Sequence, residues 1–128
     1  MSIDDLLVAP RSDYFGFKSH GGSLELYLLI ELSGFDFMPS IVEMSPDEFI
    51  SETVRLFSGK ESIDNGKVRR FAAMMKNGVK FDMPYLILES YPPRYNGRHR
   101  AYAAKKVGIE LIPAVLLNYR QSFYSLSS

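Results

Sequence analysis

The 128-residue chain is 46% apolar and 23% charged, which is enough to build one hydrophobic core and too little for two. It has no cysteine and only two histidines, His20 and His99, which excludes disulfides, thiolate nucleophiles, zinc–thiolate centres and a histidine-rich metal site. Fifteen bases balance fifteen acids, but residues 1–59 carry three bases against ten acids and residues 60–106 eleven against four. That polarity either attracts phosphate-bearing ligands or neutralises itself across the fold.

Residues 1–23, with Pro10, Gly16, Gly21 and Gly22, show no sustained period. Residues 1–35 therefore read as an irregular N-terminal extension of a single domain, 1–128, whose core spans 36–117 and whose tail spans 118–128. Within that extension, Leu24–Leu32 alternates. Leu24, Leu26, Leu28, Ile30 and Leu32 fall on one side and Glu25 and Glu31 on the other, which favours a strand, although Ser23 and Gly34 would also serve as caps of a short helix.

Ile41–Met44 is a short β-rich run. Ser45-Pro46-Asp47-Glu48 after it is a helix opening, with serine to cap the free amides, proline suited to the first helical position and Glu48 to complete a capping box. Phe49, Thr53, Leu56 and Phe57 then recur at helical spacing up to Gly59. A second helix is predicted over 64–77, with Val68, Phe71, Ala72 and Met75 facing inward and Gly78 as its left-handed terminator. On its outer side Lys67, Arg69 and Arg70 form a solvated stripe or extend a basic track.

The last third alternates more clearly: a strand over 84–88, a turn rich in Pro and Tyr over 89–96, a helix over 98–107 and a strand over 112–117. Such a βαβ-like unit predicts an α/β (α+β) fold, a small mixed sheet with packed helices. No apolar run approaches the roughly 18 residues of a membrane-spanning helix. The first residues also lack the pattern of a secretory signal, so the expectation is a cytoplasmic protein with no membrane partner.

Asn96-Gly97-Arg98-His99-Arg100 is the main candidate site. A glycine before a helix lets the backbone approach a ligand closely, and the first turn offers amides of positive partial charge. Arg98, His99 and Arg100 there would make a compact anion pocket. Three successive residues fan over about 300°, so two are expected to point inward and one outward. The alternative is that these bases are solvated or pair with the acidic N-terminal half. Tyr85, Tyr91, Tyr95 and Tyr102 could stack on a base, and Tyr85 and Tyr102 also suit half-buried packing.

"NGRHRAYAAKKVGIELIPAVLL", 96–117, resembles the glycine, His-Arg pair, alanine-bearing helix, glycine and Ile-Pro strand of the ParB/sulfiredoxin superfamily. "FAAMMKNGVKFDMPYLIL", 71–88, is similar to the helix, glycine, proline and strand that precede that box. The resemblance implies that Gly97, His99 and Arg100, with Asn96 and Arg98 beside them, hold the phosphates of a nucleoside triphosphate or diphosphate with Mg2+. Arg98 stands where sulfiredoxins have their cysteine and ParB partition proteins a glutamate. Sulfiredoxin chemistry is thereby excluded, and hydrolysis of the ParB kind loses a metal-supporting group. Asn96 replaces the aspartate of free-serine kinases; it can hydrogen-bond but cannot act as a base. Glu48 sits where those kinases carry a catalytic glutamate, and also has a complete local explanation as a helix cap.

The expectation is a nucleotide- or phosphate-binding ParB-like domain with phosphoryl-transfer or nucleotide-hydrolysing activity. The alternatives are a catalytically silent DNA-binding or regulatory module and, third, a ParB-like nuclease. The isolated domain would fit a phage or mobile-element accessory protein.

Overall fold

A computed structural model of the chain describes residues 2–34, 36–57, 62–87 and 94–119. Among the described residues nine elements follow in order: α1 (Ile3–Leu6), α2 (Leu24–Leu32), β1 (Phe37–Met44), α3 (Pro46–Phe57), α4 (Asn65–Lys76), β2 (Tyr85–Ile87), β3 (Arg94–Asn96), α5 (Arg98–Val107) and β4 (Ile112–Tyr119). The four strands form one mixed sheet in the order β1-β4-β2-β3. β4 is antiparallel to β1 and parallel to β2, and β2 is antiparallel to β3. The fold is thus α/β, and the parallel β2–β4 pair with α5 between them in sequence is the expected βαβ-like unit.

Cross-strand partners share a face of the sheet. One face carries Leu86, Leu116 and Tyr95, and the other Tyr85, Val115 and Asn96. α3 meets the first face, and α2 meets the second through a hydrogen bond from Asn96 to Glu25. α5 packs against both α3 and α4. Its small residues Ala101, Ala103 and Ala104 are all fully buried, which allows close approach, and Val68, Ala72 and Met75 of α4 are buried as expected.

Two expectations are corrected and one is extended. Leu24–Leu32 is a helix: Ser23 Oγ accepts from the Leu26 amide at 3.3 Å, and Leu26 and Ile30, one turn apart, are both fully buried. Tyr27 and Leu29 interrupt the strand alternation, whereas leucine and glutamate are good helix formers. Residues 7–23 hold no helix or strand, as the missing period implies, yet they enter the core: Leu7 and Phe17 have no exposed surface and Phe17 bridges to Phe81. Finally, the end of the predicted 89–96 turn is strand β3, paired so that Tyr85 faces Asn96. The rest of that turn with Tyr91, the helix stop at Gly59, the side chains of Leu56 and Phe57, and the tail beyond Tyr119 lie outside the described residues.

Among the described residues no helix is long and apolar enough to cross a membrane.

Candidate functional site

Gly97 is the N-cap of α5, in a left-handed conformation at φ 117°. It permits a close approach to Pro84: a Cβ at this position would lie 2.3 Å from Pro84 Cβ and 2.9 Å from its Cα, distances no side chain tolerates. Glycine here thus seats the start of α5 against the residue that enters β2.

The three basic residues diverge. Arg98 is buried at 7% exposure, with its guanidinium 5.9 Å from the Tyr102 ring centre. His99 turns towards α4, where its Nε2 accepts a hydrogen bond from the Asp64 backbone amide at 3.1 Å. In that contact Nε2 supplies a lone pair, so it donates to nothing else. Arg100 donates from Nη1 to the Asp82 carbonyl at 2.5 Å and from Nη2 to Asn96 Oδ1 at 2.8 Å. Burial pulls its guanidinium below the usual arginine value, a pull resisted by the negative charges of Asp82 and Glu25.

Arg100 belongs to a larger polar cluster. Asn96 Nδ2 donates to Glu25 Oε2 at 2.7 Å, and Lys18 Nζ lies 3.2 Å from Asp82 Oδ1. Tyr85 is 1% exposed; burial first, then its hydrogen bond to Glu25, push its phenol above the usual value. The cluster joins α2, β2, β3 and α5, so the acidic N-terminal half does meet the basic half here. Glu25 and Asp82 were not legible as its members, because their roles depend on packing between elements more than 50 residues apart for Glu25 and Asn96.

The His99–Asp64 contact has a second consequence. Asp64 is the N-cap of α4, and its Oδ1 accepts from the Lys67 amide at 3.0 Å. The first turns of α4 and α5 therefore lie side by side, and two positive helix ends converge. α5 has no acidic residue in its first turn. Asp64 itself responds: a hydrogen bond from the Lys67 amide, helped by the Gly66 amide and the charge of Arg70, holds its carboxyl below the usual carboxylate value against the opposing effect of burial. Arg69 and Arg70 are exposed on the same helix, and Lys67 lies 5.5 Å from the Phe71 ring centre.

Glu48 stands elsewhere. Its amide donates to Ser45 Oγ at 3.1 Å, and that hydroxyl lies 3.3 Å from Glu48 Oε1, so the glutamate takes part in capping α3. It also lines a groove of about 640 Å³ with a floor of Met44, Leu86 and Leu116 and a wall of Asp47, Ser51, Glu52 and Arg55. None of residues 96–100 lines that groove. Asp47 pairs with Lys105 at 2.8 Å, which draws the start of α3 towards the last turn of α5. Arg98 and Lys105 are about 10 Å apart along the helix axis at 1.5 Å per residue. The structure thus gathers Asn96, Gly97 and Arg100 around Pro84 and Asp82, sends His99 to α4, and leaves Glu48 near the opposite end of α5. Among the described residues no group of three or more His, Asp or Glu side chains is placed to hold a metal ion.

Comparison with known proteins returned no matching family model, no similar curated protein and no similar solved structure.

Proposed function

We propose that the chain is a ParB/sulfiredoxin-like domain that binds the phosphate groups of a nucleotide where α4 and α5 begin. The observation that carries this reading is the convergence of the two helix starts through His99 and Asp64, in a field that already favours the Asp64 carboxylate. Backbone amides at helix N-termini suit phosphate oxygens, and the exposed Arg69 and Arg70 add positive charge on the same helix. In this arrangement Arg100 is a positioning residue. It holds Asn96 and the Asp82 carbonyl, and through them the entry to α5, in one geometry. Glu48, the carboxylate the resemblance offers as a base, lines the α3 groove.

Calorimetric titration with ATP, ADP, CTP and GTP, each with Mg2+, tests the reading, with phosphate release followed in the same samples. Binding of at least one nucleotide is expected. Arg70→Ala, an exposed change that spares the fold, should weaken it about fivefold to tenfold, the loss of one charge-assisted contact of about 1 kcal/mol or slightly more. Absence of binding by all four overturns the proposal. If DNA instead binds with an affinity that falls steeply with salt while nucleotides do not, the same basic surface serves backbone phosphates, and the DNA-binding reading replaces it.

A further inference from the structure

α2 is apolar on almost every side. Seven of its nine residues are Leu, Ile or Tyr, and the other two are Glu25 and Glu31. Successive helical residues turn by about 100°. Leu24, Leu28 and Leu32 therefore form one ridge, and Leu26 and Ile30 point the opposite way into the core. The ridge is bare: Leu24 is 73% exposed, Leu28 45% and Leu32 83%. Single exposed leucines are ordinary on a protein surface, but three aligned at successive turns opposite the buried face are the pattern of a helix with a second partner.

Charge decides what that partner is. Glu25 and Glu31 each lie about 60° from the centre of the ridge, one on either side, and α2 has no basic residue. A second copy packed ridge to ridge, in either direction, would set these glutamates against themselves with nothing on the helix to offset the repulsion. An anionic lipid surface meets the same objection. The exposed Asp36 and the excess of acids over residues 1–59 extend the negative field.

We propose that the α2 ridge docks a cationic amphipathic helix of a partner protein, one whose apolar stripe is flanked by Lys or Arg. Leucines of the ridge interdigitate with the partner's stripe, and its bases face Glu25 and Glu31, as flanking charges do in a coiled coil. Glu25 is also bonded by Asn96 and by the buried Tyr85 phenol, so the exposed Glu31 on the other flank, with Asp36 beyond the helix, presents the charge that the partner's bases meet first. This surface is on the outer side of α2 and does not depend on phosphate binding at the starts of α4 and α5.

The test uses the full chain and a fluorescein-labelled helical peptide with leucines spaced four residues apart and lysines on both flanks. A second peptide carries glutamates in place of the lysines. Fluorescence anisotropy should show saturable binding of the lysine peptide, weakened at least about tenfold by Leu28→Lys, an exposed substitution whose folding is verified by circular dichroism. The glutamate peptide should bind at least about tenfold more weakly than the lysine peptide. Equal binding of the two peptides, or unchanged binding by Leu28→Lys, overturns the proposal. A dimer in sedimentation velocity that Leu28→Lys dissolves assigns the ridge to self-association and overturns it too, as does co-sedimentation with phosphatidylserine vesicles that the substitution abolishes.

Discussion

Replacing Gly97 by alanine separates two reasons for a glycine at one position. The residue is left-handed at φ 117°, which costs any L side chain about 1–2 kcal/mol. Its added Cβ would also stand 2.3 Å from Pro84 Cβ, 2.9 Å from Pro84 Cα and 3.0 Å from Arg100 Nη2. Two of those atoms belong to a proline whose ring cannot turn aside, so α5 or the start of β2 must shift, and overpacking of this kind costs about 1–3 kcal/mol more. The total of about 2–5 kcal/mol is a large share of the stability of a small domain, about 5–15 kcal/mol. Gly108→Ala supplies the control. That glycine is left-handed as well, at φ 92°, but nothing lies within 4 Å of a Cβ built there. It should show only the conformational cost. With a urea slope of about 1.5 kcal/mol per molar, the Gly97→Ala midpoint should fall roughly 0.7–2 M below that of Gly108→Ala. Equal midpoints would refute the argument, because they would mean that Pro84 does not occupy the space beside the Gly97 Cα.

Two further outcomes test the fold and the polar cluster. Phe17→Ala should lower stability by about 3–5 kcal/mol in urea unfolding, since Phe17 is fully buried and bridges to Phe81; a loss below about 1 kcal/mol would mean that the N-terminal stretch is not part of the core. The Tyr85 phenol is held neutral in the fold by burial and its bond to Glu25, above its ordinary value of 10.0. Below about pH 10 the unfolded chain binds that proton too, so this contribution is fully present; above it the unfolded chain releases the proton first and stability falls. Ultraviolet titration should therefore find Tyr85 among the tyrosines that ionise only together with unfolding, and Tyr85→Phe should lower their number by one.

Much of the chain could be read locally. The α4 helix runs from its Asp64 cap to Lys76 with the expected buried face, because a cap, a 3.6-residue period and a terminating glycine all act within a few residues. α5 and the strands β2 and β4 were likewise visible, since Gly97, the alanines and Gly108 punctuate the sequence. α2 was misread because five apolar residues at even spacing satisfy a strand, while the same segment offers Leu26 and Ile30 to a helix. Only the surface available for packing separates these, and that surface belongs to the rest of the fold.

The candidate site divides along the same line. That Asn96, Gly97, Arg98, His99 and Arg100 open a helix follows from the residues themselves, through glycine's backbone freedom and the basic run behind it. Where each side chain goes does not. Pro84 takes the space behind Gly97, Tyr102 lies by Arg98, Asp64 draws His99 to α4, and Asp82 with Asn96 holds Arg100. Sequence determined α3, α4 and α5, the βαβ unit and the gathering of bases, because backbone propensity and capping act over a few residues. The tertiary structure decided which of those bases serve the protein's own packing, because a buried or half-buried charge takes the partners that folding brings to it, and most of these are distant in the chain.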